Sequence, residues 1–190
     1  MDNCSSMQKK EPVVRTQQPV VLSNPTRVYD YLRWAVEQRS PVTGWKYSCF
    51  EAYVLSNGQH FAYQPFPAQY RGHRGRLKQC FANAYRLARE HPELSYAEGY
   101  ASETGHIGFL HAWCVHAEGR VVDPTWDFRA DYYGVIFDTN YVAYVNGLRG
   151  EHNSVIDNWT QQWPLLRGDP PATVQLPDES IDRNKTQRSR

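Results

Sequence analysis

The sequence predicts an α+β fold in which one helix packs on an antiparallel sheet. Segments with helical spacing stand before and among segments with strand character, and the best strand pattern, 109–117, is followed by a second at 120–123 across a short loop. The 190 residues are 41% hydrophobic and 14% aromatic, enough for one sizeable core. We predict a single catalytic domain over 25–167, with a flexible head at 1–24 and a disordered tail at 168–190.

The charge and the N-terminal segment argue against several classes of protein. The formal net charge is +1, so the chain has no general attraction for nucleic acid or membranes, and we expect neither as a partner. No apolar run approaches the ~20 residues of a membrane span. Met1 to Val20 are polar and lack the apolar segment of a secretory signal. We therefore expect a cytoplasmic protein, and we predict no cofactor.

The first part of the predicted domain is expected to contain a helix and then a hairpin. Apolar residues recur at helical spacing over about 26–38, after a serine, asparagine and proline typical of a helix start. Trp45 to Leu55 is rich in aromatic and apolar residues, and the Asn57-Gly58 pair that follows favours a tight turn. These features predict a hairpin over 46–64.

The remaining elements follow from the same patterns. A loop over 67–78 leads to a helix that begins at Cys80 and ends at His91-Pro92. From Pro124 onward we expect irregular structure that packs down through the apolar residues 132–137. The other predicted elements are strands over 95–101, 109–117 and 120–123, and helices over 140–147, ended by Gly150, and 152–160.

Cys80 is the candidate nucleophile. A thiol reacts as the thiolate, which is favoured at a helix N-terminus and beside cations, and the basic loop 71–78 immediately precedes this cysteine. The other cysteines, Cys4, Cys49 and Cys114, lack the close spacing of a zinc site, so we predict no metal site and four free thiols. The apolar surroundings of Cys49 and Cys114 favour a place in the core.

His111 and Asp123 complete the set of residue types that an activated nucleophile needs. They meet only in one register of the predicted hairpin. A loop of three residues, 117–119, with its glycine in the left-handed region, places Asp123 opposite Trp113 and diagonal to His111. A loop of two residues places Asp123 opposite Cys114, on the other face of the sheet. The catalytic interpretation therefore predicts the three-residue loop.

Four short motifs, in this order, resemble a known enzyme family. They are the helix start at Cys80 with Ala84 one turn on, Tyr96-Ala97-Glu98-Gly99-Tyr100, His111-Ala112-Trp113, and Val122-Asp123-Pro124-Thr125. Together they resemble the transglutaminase-like branch of the papain-like cysteine enzymes over about residues 76–125.

The resemblance implies a papain-like/transglutaminase-like fold, with the cysteine-bearing helix against an antiparallel sheet that carries the other two residues. It implies that Cys80 is the nucleophile, His111 the base and Asp123 the orienting acid. Members of the family include proteases, amidases, deamidases, acyltransferases and cross-linking enzymes, so the resemblance implies acyl-thioester chemistry more than a substrate.

We therefore expect a cysteine acyl-transfer enzyme, most simply a hydrolase of a peptide or amide bond, with a peptide or amide as its substrate. In a second version an amine replaces water as the acceptor. A third interpretation is a non-catalytic binding protein on the same scaffold, which uses the basic loop 71–78 to hold a partner.

Further residues are candidates for the oxyanion and substrate sites. The backbone N–H of Cys80, at a helix start, is a natural oxyanion donor, and Gln79 is a candidate for the second donor. Arg74 and Arg76 are candidates for holding an acidic group of the substrate, and Trp113 is a candidate for the wall of a cleft.

Three other side chains compete for roles in the site. His106 is a rival base, Asp127 is a rival orienting acid, and His116 is expected at a surface position of its strand.

Overall fold

The computed structural model of the protein describes residues 27–103 and 107–168. The predicted head at 1–24 and the predicted tail beyond Gly168 lie outside the described residues. The described part is a mixed α+β structure with one curled antiparallel sheet and several helices, so the expected fold class is confirmed at this level.

The sheet has five strands in the order β1-β5-β2-β3-β4. All of its ladders are antiparallel. The strands are β1 (Gln59–Phe61), β2 (Leu94–Ser102), β3 (Phe109–His116), β4 (Val121–Val122) and β5 (Asp131–Phe137).

Five α-helices accompany the sheet in the described part of the chain. None of them is long and apolar enough to cross a membrane. They are α1 (Arg27–Glu37), α2 (Phe50–Asn57), α3 (Cys80–Glu90), α4 (Thr139–Arg149) and α5 (Pro164–Arg167), with short 3₁₀ helices at Ala68–His73 and Trp159–Gln161.

The sheet curls until its two edges meet. Ala62, directly after β1, forms a bridge with Arg120, directly before β4. The Ala62 N–H donates to the carbonyl of Gly119 at 3.3 Å, and the Val121 N–H donates to the carbonyl of Ala62 at 2.9 Å. The curl separates an inner from an outer core. We define the inner core as Phe61, Ala97, Ala101, Trp113, Val115, Val121, Ala130 and Tyr132.

The outer face of the sheet is covered by helices. Helix α3 places Ala84, Leu87 and Ala88 against the side of β3 that carries Ala112 and Cys114. The Cys114 thiol donates to the carbonyl of Ala84 at 3.2 Å. Cys114 is fully buried, so its predicted place in the core is confirmed.

The hairpin of β3 and β4 has the predicted three-residue register. Val115 pairs with Val121, and Cys114 pairs with Val122. The His116 N–H donates to the carbonyl of Arg120 at 3.0 Å, and Gly119 has φ +78°. The next pair along this register is Trp113 and Asp123, as the catalytic interpretation requires. Helices α1 and α3, strands β2 and β3, and helix α4 ended by Gly150 also match their predictions.

The predicted hairpin over 46–64 is wrong. Phe50–Asn57 is helical, and only Gln59–Phe61 forms a strand, which pairs with β5. A short apolar and aromatic segment does not by itself distinguish a strand from a buried helix. The expected turn also does not form, because Gly58 has φ −94° and donates its N–H to the carbonyl of Val54, ending a helix.

Two predictions for the C-terminal part are also wrong. Residues 131–137, expected to be irregular, form β5, which pairs with β2 on one side and β1 on the other. The helix predicted over 152–160 does not form. The N–H groups of Val155 and Ile156 donate instead to the buried Glu98 carboxylate, at 2.9 and 3.1 Å, which holds this segment against the sheet. Only Trp159–Gln161 is a short 3₁₀ helix.

Gly134 of β5 makes room for the inner core. A Cβ atom at this position would lie 2.6 Å from Cη2 of Trp113 and 2.7 Å from the carbonyl oxygen of Glu98. Residues of a close-packed core cannot absorb such an atom without shifting. Gly134 therefore leaves the space that the Trp113 indole occupies against β5.

We predict that Gly134→Ala lowers the free energy of unfolding by roughly 1–3 kcal/mol, since the added methyl group overpacks the core at Trp113. The matched control is Gly147→Ala in α4, where nothing lies within 4 Å of the new Cβ. That change should raise the stability by up to ~1 kcal/mol through helix propensity. Urea denaturation measures both. Equal stabilities of the two variants would contradict the proposed packing.

Candidate active site

His111 and Asp123 form a buried pair at the open end of the inner core. Nε2 of His111 lies 2.7 Å from Oδ2 of Asp123. The Tyr132 hydroxyl donates to the same Oδ2 at 2.9 Å, and the N–H groups of Thr125 and Trp126 donate to Oδ1 at 2.8 and 3.0 Å. Four donors therefore fix this carboxylate, and the carboxylate in turn fixes the orientation of the imidazole.

Two indoles flank the imidazole of His111. Trp126 stacks on it with a centroid distance of 4.0 Å and an interplanar angle of 17°. Trp113 lies 6.2 Å away at 22°, on the side of the inner core. The exposed fraction of Trp113 is 0%, so this residue supports the imidazole from below and does not form the wall of an open cleft.

Cys80 is the first residue of α3, and its thiol lies near enough to the His111 ring to help raise the pKa of the imidazole. Nε2 of His111 is bonded to Asp123, which leaves Nδ1 as the ring nitrogen available to a thiol. The exposed fraction of Cys80 is 8%, so the residue is buried but retains contact with solvent.

The arrangement of the sheet lets a helix on the outer face reach a histidine that points to the inner face. β4 pairs with β3 only at Cys114 and Val115. The part of β3 that carries His111 therefore has no strand neighbour on that side among the described residues. The start of α3, which carries Cys80, lies near the imidazole at this edge.

The electrostatics favour a charged pair. Burial by itself lowers the pKa of His111, but the charge and hydrogen bond of Asp123, with a smaller effect of Cys80, outweigh burial and raise this pKa to about 9. Burial raises the pKa of Asp123, but His111 and the two backbone donors outweigh burial and lower it. Near neutral pH the pair is an imidazolium and a carboxylate.

The backbone at the start of α3 leaves donors available. The first N–H groups of a helix have no intrahelical partner, and the Gln79 side chain does not cap this helix. The N–H of Cys80 is therefore free of helix bonds. The residue before Gln79, Lys78, has φ +65°, a conformation that is costly for a residue with a side chain. Such strain is typical of functional loops.

The basic loop lies against the segment that follows Asp123. The Gly75 N–H donates to the carbonyl of Pro124 at 2.9 Å. Arg74 donates to the carbonyl of Trp126 at 3.1 Å, and its guanidinium stacks on Phe66 at 4.5 Å. Arg74 thus holds the loop in place, and its role towards a substrate stays a prediction.

Asn83 was not predicted and ties the helix to both neighbouring segments. It is 2% exposed, one turn after Cys80. Its Nδ2 donates to the carbonyl of Arg76 at 2.8 Å and to Oγ1 of Thr125 at 3.0 Å. The sequence offers one sign of this role: a polar residue next to the apolar face of the predicted helix. The bond of the Tyr132 hydroxyl to Asp123 was not predicted either, because this tyrosine stands in an apolar run that gives no sign of a partner for its hydroxyl.

The other candidates lie apart from this site or outside the described residues. His106 belongs to the residues that the structure does not describe. Asp127 is exposed, whereas Asp123 is buried against His111. His116, expected at the surface, is half-buried, with its ring 5.9 Å from that of Tyr70.

The remaining cysteines and the acidic residues form no further centre in the described part of the chain. Cys49, Cys80 and Cys114 are free thiols, and Cys4 lies outside the described residues. Among the described residues, no group of three or more His, Cys, Asp or Glu side chains is arranged to hold a metal ion.

We predict that Asp123→Asn lowers the pKa of His111 from about 9 to below the ordinary ~6.5, because burial remains while the carboxylate is lost. NMR titration of the imidazole measures it. A raised folded-state pKa stabilises the fold below the unfolded-state pKa, and this contribution is lost as the pH rises through about 9. The variant should lack this pH dependence. Asp127→Asn, which removes an exposed carboxylate, is the control, and an unchanged His111 pKa in Asp123→Asn would contradict the account.

Comparison of the chain with protein-family models, with curated proteins and with solved structures gives no significant match. The site is therefore interpreted from its own residues and their chemistry.

Proposed function

We propose that the protein is a cysteine acyl-transfer enzyme, most simply a hydrolase of a peptide or amide bond. The observation that carries the proposal is that one buried imidazole, His111, is hydrogen-bonded to the Asp123 carboxylate and lies near enough to the Cys80 thiol for the thiol to help raise its pKa. A nucleophile, a base within hydrogen-bonding reach of it, and a third group that orients the base are the parts of an activated nucleophile.

Acylation begins with the thiolate of Cys80, whose proton is held by His111. The sulfur attacks the carbonyl carbon of the amide, and the carbonyl electrons move to oxygen. His111 then gives its proton to the leaving nitrogen, the carbon–nitrogen bond breaks, and an amine leaves. The product on the protein is a thioester of Cys80.

Deacylation uses the same groups in the opposite sense. His111, now neutral, takes a proton from water, whose oxygen attacks the thioester carbon. The carbon–sulfur bond breaks, a carboxylic acid leaves, and the proton returns to the sulfur–imidazole pair. We propose water as the acceptor because it needs no second binding site. An amine acceptor would follow the same steps.

The start of α3 is suited to the charge that develops on the substrate oxygen. The N–H of Cys80 lies in the first turn, where the helix dipole also favours negative charge. Gln79, next to it, is half-buried and remains the candidate for the second donor.

Asp123, Tyr132 and Asn83 are positioning residues in this proposal. Asp123 keeps the imidazole protonated on Nε2 and directs Nδ1 to the sulfur, the role that the carboxylate has in a catalytic triad. Tyr132 donates a hydrogen bond to that carboxylate. Asn83 links the helix to Thr125, which lies two residues after Asp123.

The resemblance of residues 76–125 to the transglutaminase-like branch of the papain-like enzymes belongs to the same proposal. Three features support it: a helix that begins at the cysteine, an antiparallel sheet against which this helix packs, and a histidine and an aspartate that come from the two strands of one hairpin.

We predict that iodoacetamide at slightly acid pH alkylates Cys80 before Cys49 and Cys114. Burial raises the pKa of Cys49 and of Cys114, which lowers the fraction of reactive thiolate at both and makes them react more slowly. Peptide mapping by mass spectrometry after short exposures identifies the labelled thiol. His111→Ala should slow the labelling of Cys80 by roughly a factor of ten or more, because the cation beside the sulfur is lost.

The control for the histidine variant is His60→Ala, which removes a half-buried histidine that is also paired with an aspartate, Asp131, away from Cys80. Labelling of Cys80 should be unchanged in this variant. Equal, slow labelling of the three cysteines in the unmodified protein would count against acyl chemistry and favour a binding role for the scaffold.

A further inference from the structure

A cavity of about 640 Å³ lies between the basic loop and α3. Its wall begins at Gln79, the residue next to Cys80, and extends along the helix as far as Glu90. A cavity of this size can hold a side chain or a small molecule. The lining also includes Asn83, and its ionisable residues are His73, Arg74, Arg76, Arg86 and Glu90.

Two arginines of the cavity have no acidic partner among the described residues. The Arg86 guanidinium donates to Oδ1 of Asn83 at 2.8 Å and to the carbonyl of Ala82 at 3.3 Å, which are both neutral acceptors. For Arg76, the described residues show a bond only to its backbone carbonyl, which accepts from Asn83. Both guanidinium groups therefore have donors left for a ligand.

The single carboxylate of the cavity wall does not offset this charge. Oε2 of Glu90 lies 2.9 Å from Nδ1 of His73, so this carboxylate is already paired with the imidazole. Arg74 adds a third guanidinium, bonded only to the neutral carbonyl of Trp126 in the described structure. The cavity thus has a clear excess of positive charge, although the whole chain has a formal net charge of only +1.

We propose that this cavity binds an anionic group of the substrate, a carboxylate or a phosphate, close to the bond that Cys80 attacks. This inference rests on the proposed function. Guanidinium groups pair with planar or tetrahedral oxyanions through several hydrogen bonds at once, which makes arginine suited to this recognition. The enzyme would then select acidic peptides or amides, and a neutral analogue would lose these contacts.

The test compares two alkylating reagents that react with a thiolate in the same way, with displacement of iodide, and differ in charge. Iodoacetate is an anion and iodoacetamide is neutral. At low salt we expect the ratio of the iodoacetate rate to the iodoacetamide rate to be at least about fivefold higher at Cys80 than at Cys49. The ratio should fall as sodium chloride is added, because salt screens the cavity.

Two variants test whether the preference of Cys80 for iodoacetate comes from the cavity. Arg76→Gln and Arg86→Gln should each lower the ratio of the iodoacetate rate to the iodoacetamide rate at Cys80 by about twofold to fivefold, and the ratio corrects for any change in the reactivity of the thiol itself. The matched control is Arg89→Gln, which removes the same charge from the same helix. Arg89 stacks on Tyr85 and lies outside the cavity wall.

Two competitors identify the anion. Inorganic phosphate and succinate are added in turn, and protection of Cys80 from iodoacetate by one of them names the preferred group. Protection by both supports an anion site that accepts either.

The outcomes separate this inference from the proposed function. Rapid reaction of Cys80 with iodoacetamide, without a preference for iodoacetate or without an effect of the two arginine variants, would overturn the anion site and leave the acyl chemistry intact. Slow reaction of Cys80 with both reagents would overturn the proposed function, and this inference with it.

Discussion

The site depends on the hydrogen bond between His111 and Asp123, and this bond depends on the register of one short hairpin. Gly119 accepts a left-handed conformation, so the loop has three residues and β4 ends with Asp123 next in line opposite Trp113. A shift of one residue would turn the carboxylate to the outer face. Burial by itself disfavours both charges, but the two charges attract strongly where water is excluded, and this attraction outweighs the cost of burial.

The curl of the sheet gives this pair its surroundings. Closure at Ala62 and Arg120 produces an inner core, and His111 lies at its open end between Trp113 and Trp126. The short β4 leaves one side of β3 open, and the start of α3 comes within reach of the imidazole there. The closure of the sheet therefore shields the ion pair, and the short β4 leaves the imidazole accessible from α3.

The sequence was informative where local rules decide the structure. Helical spacing predicted α1 and α3, and the glycine-bearing loop predicted the hairpin register, so the pairing of His111 with Asp123 could be predicted from the sequence. Prediction from the sequence failed where tertiary contacts decide the structure. The apolar segment from Phe50 is compatible with either a helix or a strand, and its packing makes it a helix. Strand β5 forms because it pairs with two other strands, which a local pattern does not reveal. Asn83 and Tyr132 contribute through partners that no spacing rule identifies.

The central claim is that Cys80 carries an acyl group during the reaction, and an activated ester tests it most directly. The protein is mixed with an excess of p-nitrophenyl acetate, the release of p-nitrophenolate is followed, and the acetylated residue is identified by mass spectrometry under acid quench. The account predicts a burst of one equivalent, with the acetyl group on Cys80 as a thioester that hydroxylamine removes, and no burst in Cys80→Ala. No burst, or acetyl groups only on lysines, would contradict it.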